Sequence, residues 1–102
     1  DGQPFVGING GPQFTFDEAV SFEITCADQA EVDRYWELLS DGGEERMRVI
    51  KDRYGLSWQV VPAELVDLIG DPDPAKAAAA TKAMLGMGKL DIAALRAAHA
   101  AA

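Results

Sequence analysis

The sequence predicts an α+β fold, and three observations lead to this prediction. Residues 19–26 alternate between apolar and polar side chains, which is the periodicity of a half-buried strand. Apolar residues recur at positions 32, 35, 36 and 39, the spacing of one face of a helix. A turn at residues 52–55 leads into a second alternating run, and the rest of the chain has helical character. The predicted order is β, then β-α-β-β, then three helices.

Two strands are predicted before the first helix. The first runs from Phe5 to Asn9 and ends at Asn9-Gly10-Gly11-Pro12, a strong turn signal that does not have the spacing of a phosphate-binding loop. The second runs from Ala19 to Cys26. Its apolar face carries Val20, Phe22, Ile24 and Cys26, and its polar face carries Ser21, Glu23 and Thr25. Cys26 is interpreted as a small buried hydrophobic residue rather than a nucleophile.

The first helix is predicted to begin after Asp28, whose carboxylate caps free backbone N–H groups, with Glu31 completing a pair of the capping-box type. Its apolar stripe consists of Val32, Tyr35, Trp36 and Leu39. We interpret this stripe as a surface that packs on a sheet, in preference to an aromatic pocket lining. The run from Ser40 to Gly43 ends the helix.

A hairpin is predicted next. Its first strand runs from Arg46 to Lys51, with Met47 and Val49 facing away from Arg46, Arg48 and Ile50. The turn from Asp52 to Gly55 requires a glycine that tolerates positive φ. The returning strand, Leu56 to Val61, places Leu56, Trp58 and Val60 on one face and Ser57 and Gln59 on the other, and Pro62 ends it.

The chain after Pro62 is predicted to be helical. Residues 65–69 form a short amphipathic helix that ends at Gly70, and Asp73 caps an alanine-rich helix from Pro74 or Ala75 to Met87. Asp91 caps a final helix. His99 lies in that helix with no other metal-binding residue near it in sequence, so we interpret it as a surface residue.

Composition limits the classes of partner. The 102 residues carry 17 acids and 9 bases, a net charge of −8, which disfavours nucleic acid and anionic membranes. No apolar run is long enough for a membrane span, and no segment has the pattern of a signal peptide. One cysteine forms no internal disulfide, so we expect a reduced, cytoplasmic setting. The opening Asp1-Gly2-Gln3-Pro4 is typical of a turn, so we expect the sequence to be a fragment.

Several stretches resemble a known family. The strand and helix from Ser21 to Trp36 look like the start of a vicinal-oxygen-chelate (glyoxalase-like) module, and the turn and strand from Asp52 to Val61 look like its closing strand. More narrowly, the PhnB-like branch, often named demethylubiquinone methyltransferase, is similar at Asn9–Pro12, Ala19–Phe22, Asp33–Trp36, Lys51–Gln59 and Gly88–Ile92. Members commonly carry Cys-Gly-Trp just before the Lys51 strand, where this chain has Met47-Arg48-Val49.

The resemblance implies a fold and a domain division. It implies a βαβββ-type module, one half of the usual paired-module barrel, followed by C-terminal helices. Residues 1–62 would be the C-terminal part of a glyoxalase-like domain, and residues 63–102 a helical extension of the same domain. A ferredoxin-like α+β sandwich shares the βαββ start and is the alternative fold.

The resemblance also bears on chemistry. Catalytic relatives bind a divalent metal through a histidine on the first strand of a module and a glutamate on its last strand, and these positions are Ser21 and Gln59 here. A neutral hydroxyl and a carboxamide are weaker ligands, so no metal and no cofactor is expected, although Gln59 and Glu23 leave a divalent metal as an alternative. No glycine-rich strand-turn-helix predicts binding of a methyl donor.

Three functions follow as hypotheses. The first is a small-molecule binding module that holds a polar ligand on residues Ser21, Glu23, Thr25, Ser57 and Gln59, against Trp58, Tyr54 or aromatic residues of a partner. An equal alternative for these side chains is that they satisfy one another's hydrogen bonds. The second function is a metal-dependent lyase, isomerase or dioxygenase that takes ligands from a missing N-terminal part or a second subunit. The third is an assembly role for the alanine-methionine helix. Open sheet edges predict a homodimer.

Overall fold

The structure, a computed structural model, describes residues 2–46 and 48–102. The predicted orientation of Met47 and the turn residue Asp1 lie outside this range. The elements are β1 (Ser21–Cys26), α1 (Gln29–Ser40), β2 (Glu44–Arg46), β3 (Val49–Lys51), β4 (Ser57–Pro62), α2 (Leu65–Ile69), α3 (Pro74–Leu85) and α4 (Ile92–Ala100). The order βαβββ followed by helices confirms the predicted α+β class.

One four-stranded sheet, in the order β1-β4-β3-β2, organises the first half of the chain. β1 pairs with β4 in parallel, and β4 and β3, like β3 and β2, pair antiparallel. Because β1 and β4 are parallel, the chain must cross from one end of the sheet to the other between them, and α1 lies within that crossover. β1 is an edge strand, so one side of its backbone has no strand partner among the described residues.

The first core lies between α1 and one face of the sheet. Its buried members are Cys26, Val32, Trp36, Ile50 and Val60, and Tyr35 and Leu39 pack against them. The predicted helix stripe is therefore confirmed as a packing surface. Fully burying one such aliphatic side chain contributes about 1.5–3 kcal/mol. In β3, Ile50 faces this core and is fully buried, whereas Val49, on the opposite face of the sheet, is half-buried.

Two predicted strands are corrected by the structure. Residues 5–9 form no strand, and Phe5, Val6 and Ile8 are exposed, because an extended apolar run becomes a strand only where it finds a partner. The predicted continuous strand Arg46–Lys51 is instead the hairpin β2–β3, in which Arg46 pairs with Val49. Alternation over six residues cannot distinguish one strand from two short strands that pair with each other.

Capping predictions are confirmed at three helices. The Asp28 carboxylate accepts from Glu31 N at 2.9 Å, the Asp73 carboxylate from Ala75 N at 3.0 Å, and the Asp91 carboxylate from Ala94 N at 3.1 Å. Each bond satisfies one of the N–H groups that a helix start leaves free. Glu31 reaches back to Ala27 N at 2.7 Å, one residue before the cap.

Asp52 organises the turn between β3 and β4. One carboxylate oxygen accepts from the backbone N–H groups of Tyr54 and Leu56, at 2.9 and 3.0 Å, and the other accepts from Trp58 Nε1 at 2.8 Å. Gly55 has φ of +88°, as the turn prediction required. The side chain of Asp52 thereby stabilises the turn and holds the Trp58 indole in position.

A second, smaller core joins the C-terminal helices. Leu65, Leu90 and Leu95 are buried together, with Met84 and Met87 packed against them. The Gln29 side chain ties α1 to this part of the chain, because its Nε2 donates to Leu90 O at 3.0 Å and its Oε1 accepts from Ile92 N at 2.8 Å. No helix in the described ranges is long and apolar enough to cross a membrane.

His99 is not simply a surface residue. Its Nε2 lies 2.8 Å from the Asp71 carboxylate, and only 19% of its side chain is exposed. The backbone N–H of Asp73 and the His99 ring lower the pKa of Asp71. The pair connects the end of α4 to the loop that precedes α3, a contact that sequence spacing alone could not predict.

Gly43 generates a prediction about stability. A β-carbon at this residue would collide with Lys51 O and lie 2.9 Å from Leu39 O, because the end of α1 and the end of β3 approach each other there. Gly43→Ala should destabilise the fold by about 1–3 kcal/mol, measured from urea unfolding. Gly10→Ala is the matched control, since nothing lies within 4 Å of its added β-carbon. Equal stability of the two variants would contradict the close approach.

Candidate functional site

Five of the predicted site residues share one face of the sheet. The parallel register pairs Ser21 with Ser57 and Glu23 with Gln59. Because side chains alternate along a strand, all of these residues lie on the face opposite α1. We call this set the polar row: Ser21, Glu23, Thr25, Ser57 and Gln59.

Two members of the polar row are hydrogen-bonded to each other. Gln59 Nε2 donates to Ser21 Oγ at 2.8 Å, and both residues are half-buried. A bond of this kind contributes about 1 kcal/mol of net stability, and losing one partner inside the sheet would cost more. The predicted proximity of the hydroxyl and the carboxamide is therefore observed, and so is the alternative in which these groups satisfy one another.

This pair does not fit the metal that the family resemblance implies. A neutral serine hydroxyl is a poor ligand for a divalent cation, and here its oxygen accepts the amide hydrogen of Gln59. Glu23, the acid in register with Gln59, is exposed. Within residues 2–46 and 48–102, no three His, Cys, Asp or Glu side chains converge as metal ligands.

Ser57 is the least satisfied member of the polar row. It is 1% exposed, and its Oγ has no hydrogen-bond partner among the described residues. In register it lies between Ser21 on β1 and Lys51 on β3. The Lys51 ammonium is already bound to Glu18 Oε1 at 2.8 Å, a hydrogen bond that lowers the pKa of Glu18. The row thus contains one buried donor that is not used within the described chain.

The two predicted aromatic contacts are not on the polar row. Trp58 points to the face of α1, where its ring meets Phe22 edge-on at 5.5 Å between centroids. Tyr54 is 78% exposed in the turn and lines a separate cleft with Phe16 and Lys51. β4 sends Trp58 and Gln59 to opposite faces, as the alternation in the sequence predicts, so neither ring lies on the same sheet face as Ser21, Ser57 and Gln59.

A cleft beside β1 nevertheless brings three of the predicted residues together. Glu23 and Thr25 on β1 and Trp58 on the neighbouring β4 all line it, because β1 is an edge strand and side chains from both sheet faces border the space beside it. Its volume is about 600 Å³. We call it the edge cleft; the residues that complete its lining are Gln3, Phe5, Phe22, Ile24, Glu31 and Tyr35.

Sequence reasoning missed most of the edge cleft. Phe5 was assigned to a strand of its own, whereas its ring lies 5.5 Å from that of Phe22. Glu31 was recognised only as a helix cap. The open edge of β1 was the missing information, and only the pairing order of the sheet reveals it.

Cys26 is confirmed as a buried residue of the first core. Burial, with smaller contributions from Glu31 and Asp28, raises the pKa of its thiol. A thiol in this setting stays protonated at neutral pH and is a poor nucleophile.

Comparisons with known proteins identify the family of the chain. The sequence model of the family described as 3-demethylubiquinone-9 3-methyltransferase matches residues 1–61. A solved PhnB protein from Bacillus cereus is 30% identical, with a TM-score of 0.48, over 52% of this chain and 50% of that chain. The matched part thus spans about half the length of that protein. No curated protein matches the chain. Because the family model matches more than half of the 102 residues, the chain belongs to the family described as 3-demethylubiquinone-9 3-methyltransferase.

Proposed function

We propose that this chain is a small-molecule binding module of the glyoxalase-like type, without a bound metal or other cofactor. The observation that carries the proposal is the edge cleft, where aromatic and aliphatic side chains surround a few polar groups. Ligand sites usually combine an apolar lining with a small number of polar groups that orient the ligand. Glu23, Thr25 and Trp58 are the predicted site residues that line the cleft.

The polar row supports the same proposal. Ser21 and Gln59 are at the positions where catalytic relatives are expected to bind a cation, and they bind each other instead. Ser57 and Gln59 belong to β4, the neighbour of the cleft strand β1, so we propose that they support that strand from its paired side, Gln59 through its hydrogen bond to Ser21. No contact among the described residues favours the alternative lyase, isomerase or dioxygenase.

The setting of the module is part of the proposal. We propose that residues 1–62 and 63–102 act as one domain, since Gln29 connects the two cores. We further propose that the module works in the reducing cytoplasm, where Cys26 remains a free thiol, and cell fractionation would check this location.

A ligand screen tests the binding function. The ¹⁵N-labelled protein would be mixed with a panel of small polar compounds, and ¹H–¹⁵N spectra recorded. We expect at least one compound to give saturable shifts at the amides of Glu23 and Thr25 and at the Trp58 indole N–H. The Tyr54 amide serves as the internal control, because Tyr54 lines a different cleft. A panel that leaves the β1 amides unchanged would contradict the proposal.

A homodimer is the proposed assembly. Phe5, Val6, Ile8 and Phe14 are exposed, and the sheet ends in the edge strands β1 and β2, two features that soluble proteins usually cover. Light scattering after size exclusion should give about twice the 10.9 kDa chain mass at micromolar concentration. Ile8→Asp should shift the population toward monomer, whereas Asp67→Asn, at an exposed residue of α2, should not. A stable wild-type monomer would exclude this assembly.

A further inference from the structure

We infer that the edge cleft binds a small organic cation, an ammonium ion with apolar substituents. The inference rests on the proposed binding function and adds the chemical class of the ligand. Three features of the cleft lead to it: a series of aromatic rings, two carboxylates, and the lack of any lysine, arginine or histidine among its described lining residues.

The aromatic rings form a continuous series. The Phe22 centroid lies 5.5 Å from that of Phe5 and 5.5 Å from that of Trp58, with interplanar angles of 48° and 71°. All three rings line the cleft. The face of an aromatic ring is electron-rich and attracts a cation within about 6 Å of its centre. The same rings also cover the apolar substituents of an alkylated ammonium ion.

The carboxylates supply the charge. Glu23 is exposed and forms no ion pair with any residue in the described ranges. Glu31 is held in position, because one of its carboxylate oxygens accepts from Ala27 N at 2.7 Å. A fixed and an unpaired carboxylate at the same cleft repel an anion. A neutral ligand that covered Glu23 would displace water from its carboxylate without supplying a positive charge to pair with it.

Two nearby positive groups do not reverse this conclusion. The N-terminus of α1 carries a partial positive charge, but the Asp28 carboxylate caps it at Glu31 N, and the Glu31 carboxylate lies beside it, bound to Ala27 N, so two negative side chains offset this charge. Arg34 lies outside the cleft lining, with its guanidinium carbon 5.9 Å from the Tyr35 ring centroid. The inference therefore rests on the rings of Phe5, Phe22 and Trp58, which have no such cation contact among the described residues.

The test compares three probes that differ in charge. Choline, its neutral isostere 3,3-dimethyl-1-butanol, and acetate would be titrated into the ¹⁵N-labelled protein. Choline should give saturable shifts at residues 22–25 and the Trp58 indole, and bind at least about fivefold more tightly than the isostere. Added salt should weaken choline binding, because the charges are solvent-accessible. Equal affinity for choline and the isostere would overturn the inference.

Two variants test the separate contributions of a carboxylate and an aromatic ring to choline binding. Glu23→Gln should weaken choline binding by about twofold to fivefold. The control Asp67→Asn also removes one negative charge, at an exposed residue of α2 outside the cleft, and should have no effect on choline binding. Phe5→Ala, at a residue that is 72% exposed, should weaken choline binding without unfolding the protein. Unchanged choline affinity in both cleft variants would also overturn the inference.

The outcomes separate this inference from the proposed function. If only acetate or the neutral isostere shifts the β1 amides, the cleft binds ligands but not cations, and the inference alone fails. If no probe of any charge and no panel compound shifts them, both the inference and the proposed function fail.

Discussion

The parallel pairing of β1 with β4 is the constraint on which the rest of the structure depends. It joins residues 21–26 to residues 57–62. It therefore forms only when α1, β2 and β3, which lie between these two segments in sequence, are in their native positions. The pairing fixes which side chains face α1 and which form the polar row. It also leaves β1 at the edge of the sheet, which creates the cleft. A shift of one residue in this register would exchange the two faces.

The local features that support this pairing were predictable from sequence. Asp28, Asp73 and Asp91 cap helices through atoms two or three residues away, and Gly55 satisfies a backbone conformation that few other residues adopt. Such features depend on neighbours along the chain. The proximity of Ser21 and Gln59, 38 residues apart, was instead predicted through the family resemblance, which supplied the register that periodicity alone does not contain.

The features that were not predictable depend on distant partners. The strand predicted at Phe5–Asn9 does not form, because this apolar run has no strand partner. The charged run Glu44–Arg46, of which only Arg46 was predicted to lie in a strand, pairs with β3. The face of Trp58 was predicted correctly, yet its membership in the cleft with Glu23 required knowing that β1 is an edge strand. The position of His99 against Asp71 required the packing of α4 on α3.

The central claim is that a hydroxyl and a carboxamide bind each other where catalytic relatives are expected to bind a cation. Calorimetric titration with zinc chloride tests it most directly, on the wild type and on the Ser21→His, Gln59→Glu double variant, with circular dichroism to verify folding. The account predicts no saturable heat for the wild type and measurable zinc binding by the double variant. Near-stoichiometric zinc binding by the wild type that Gln59→Ala abolishes would contradict it.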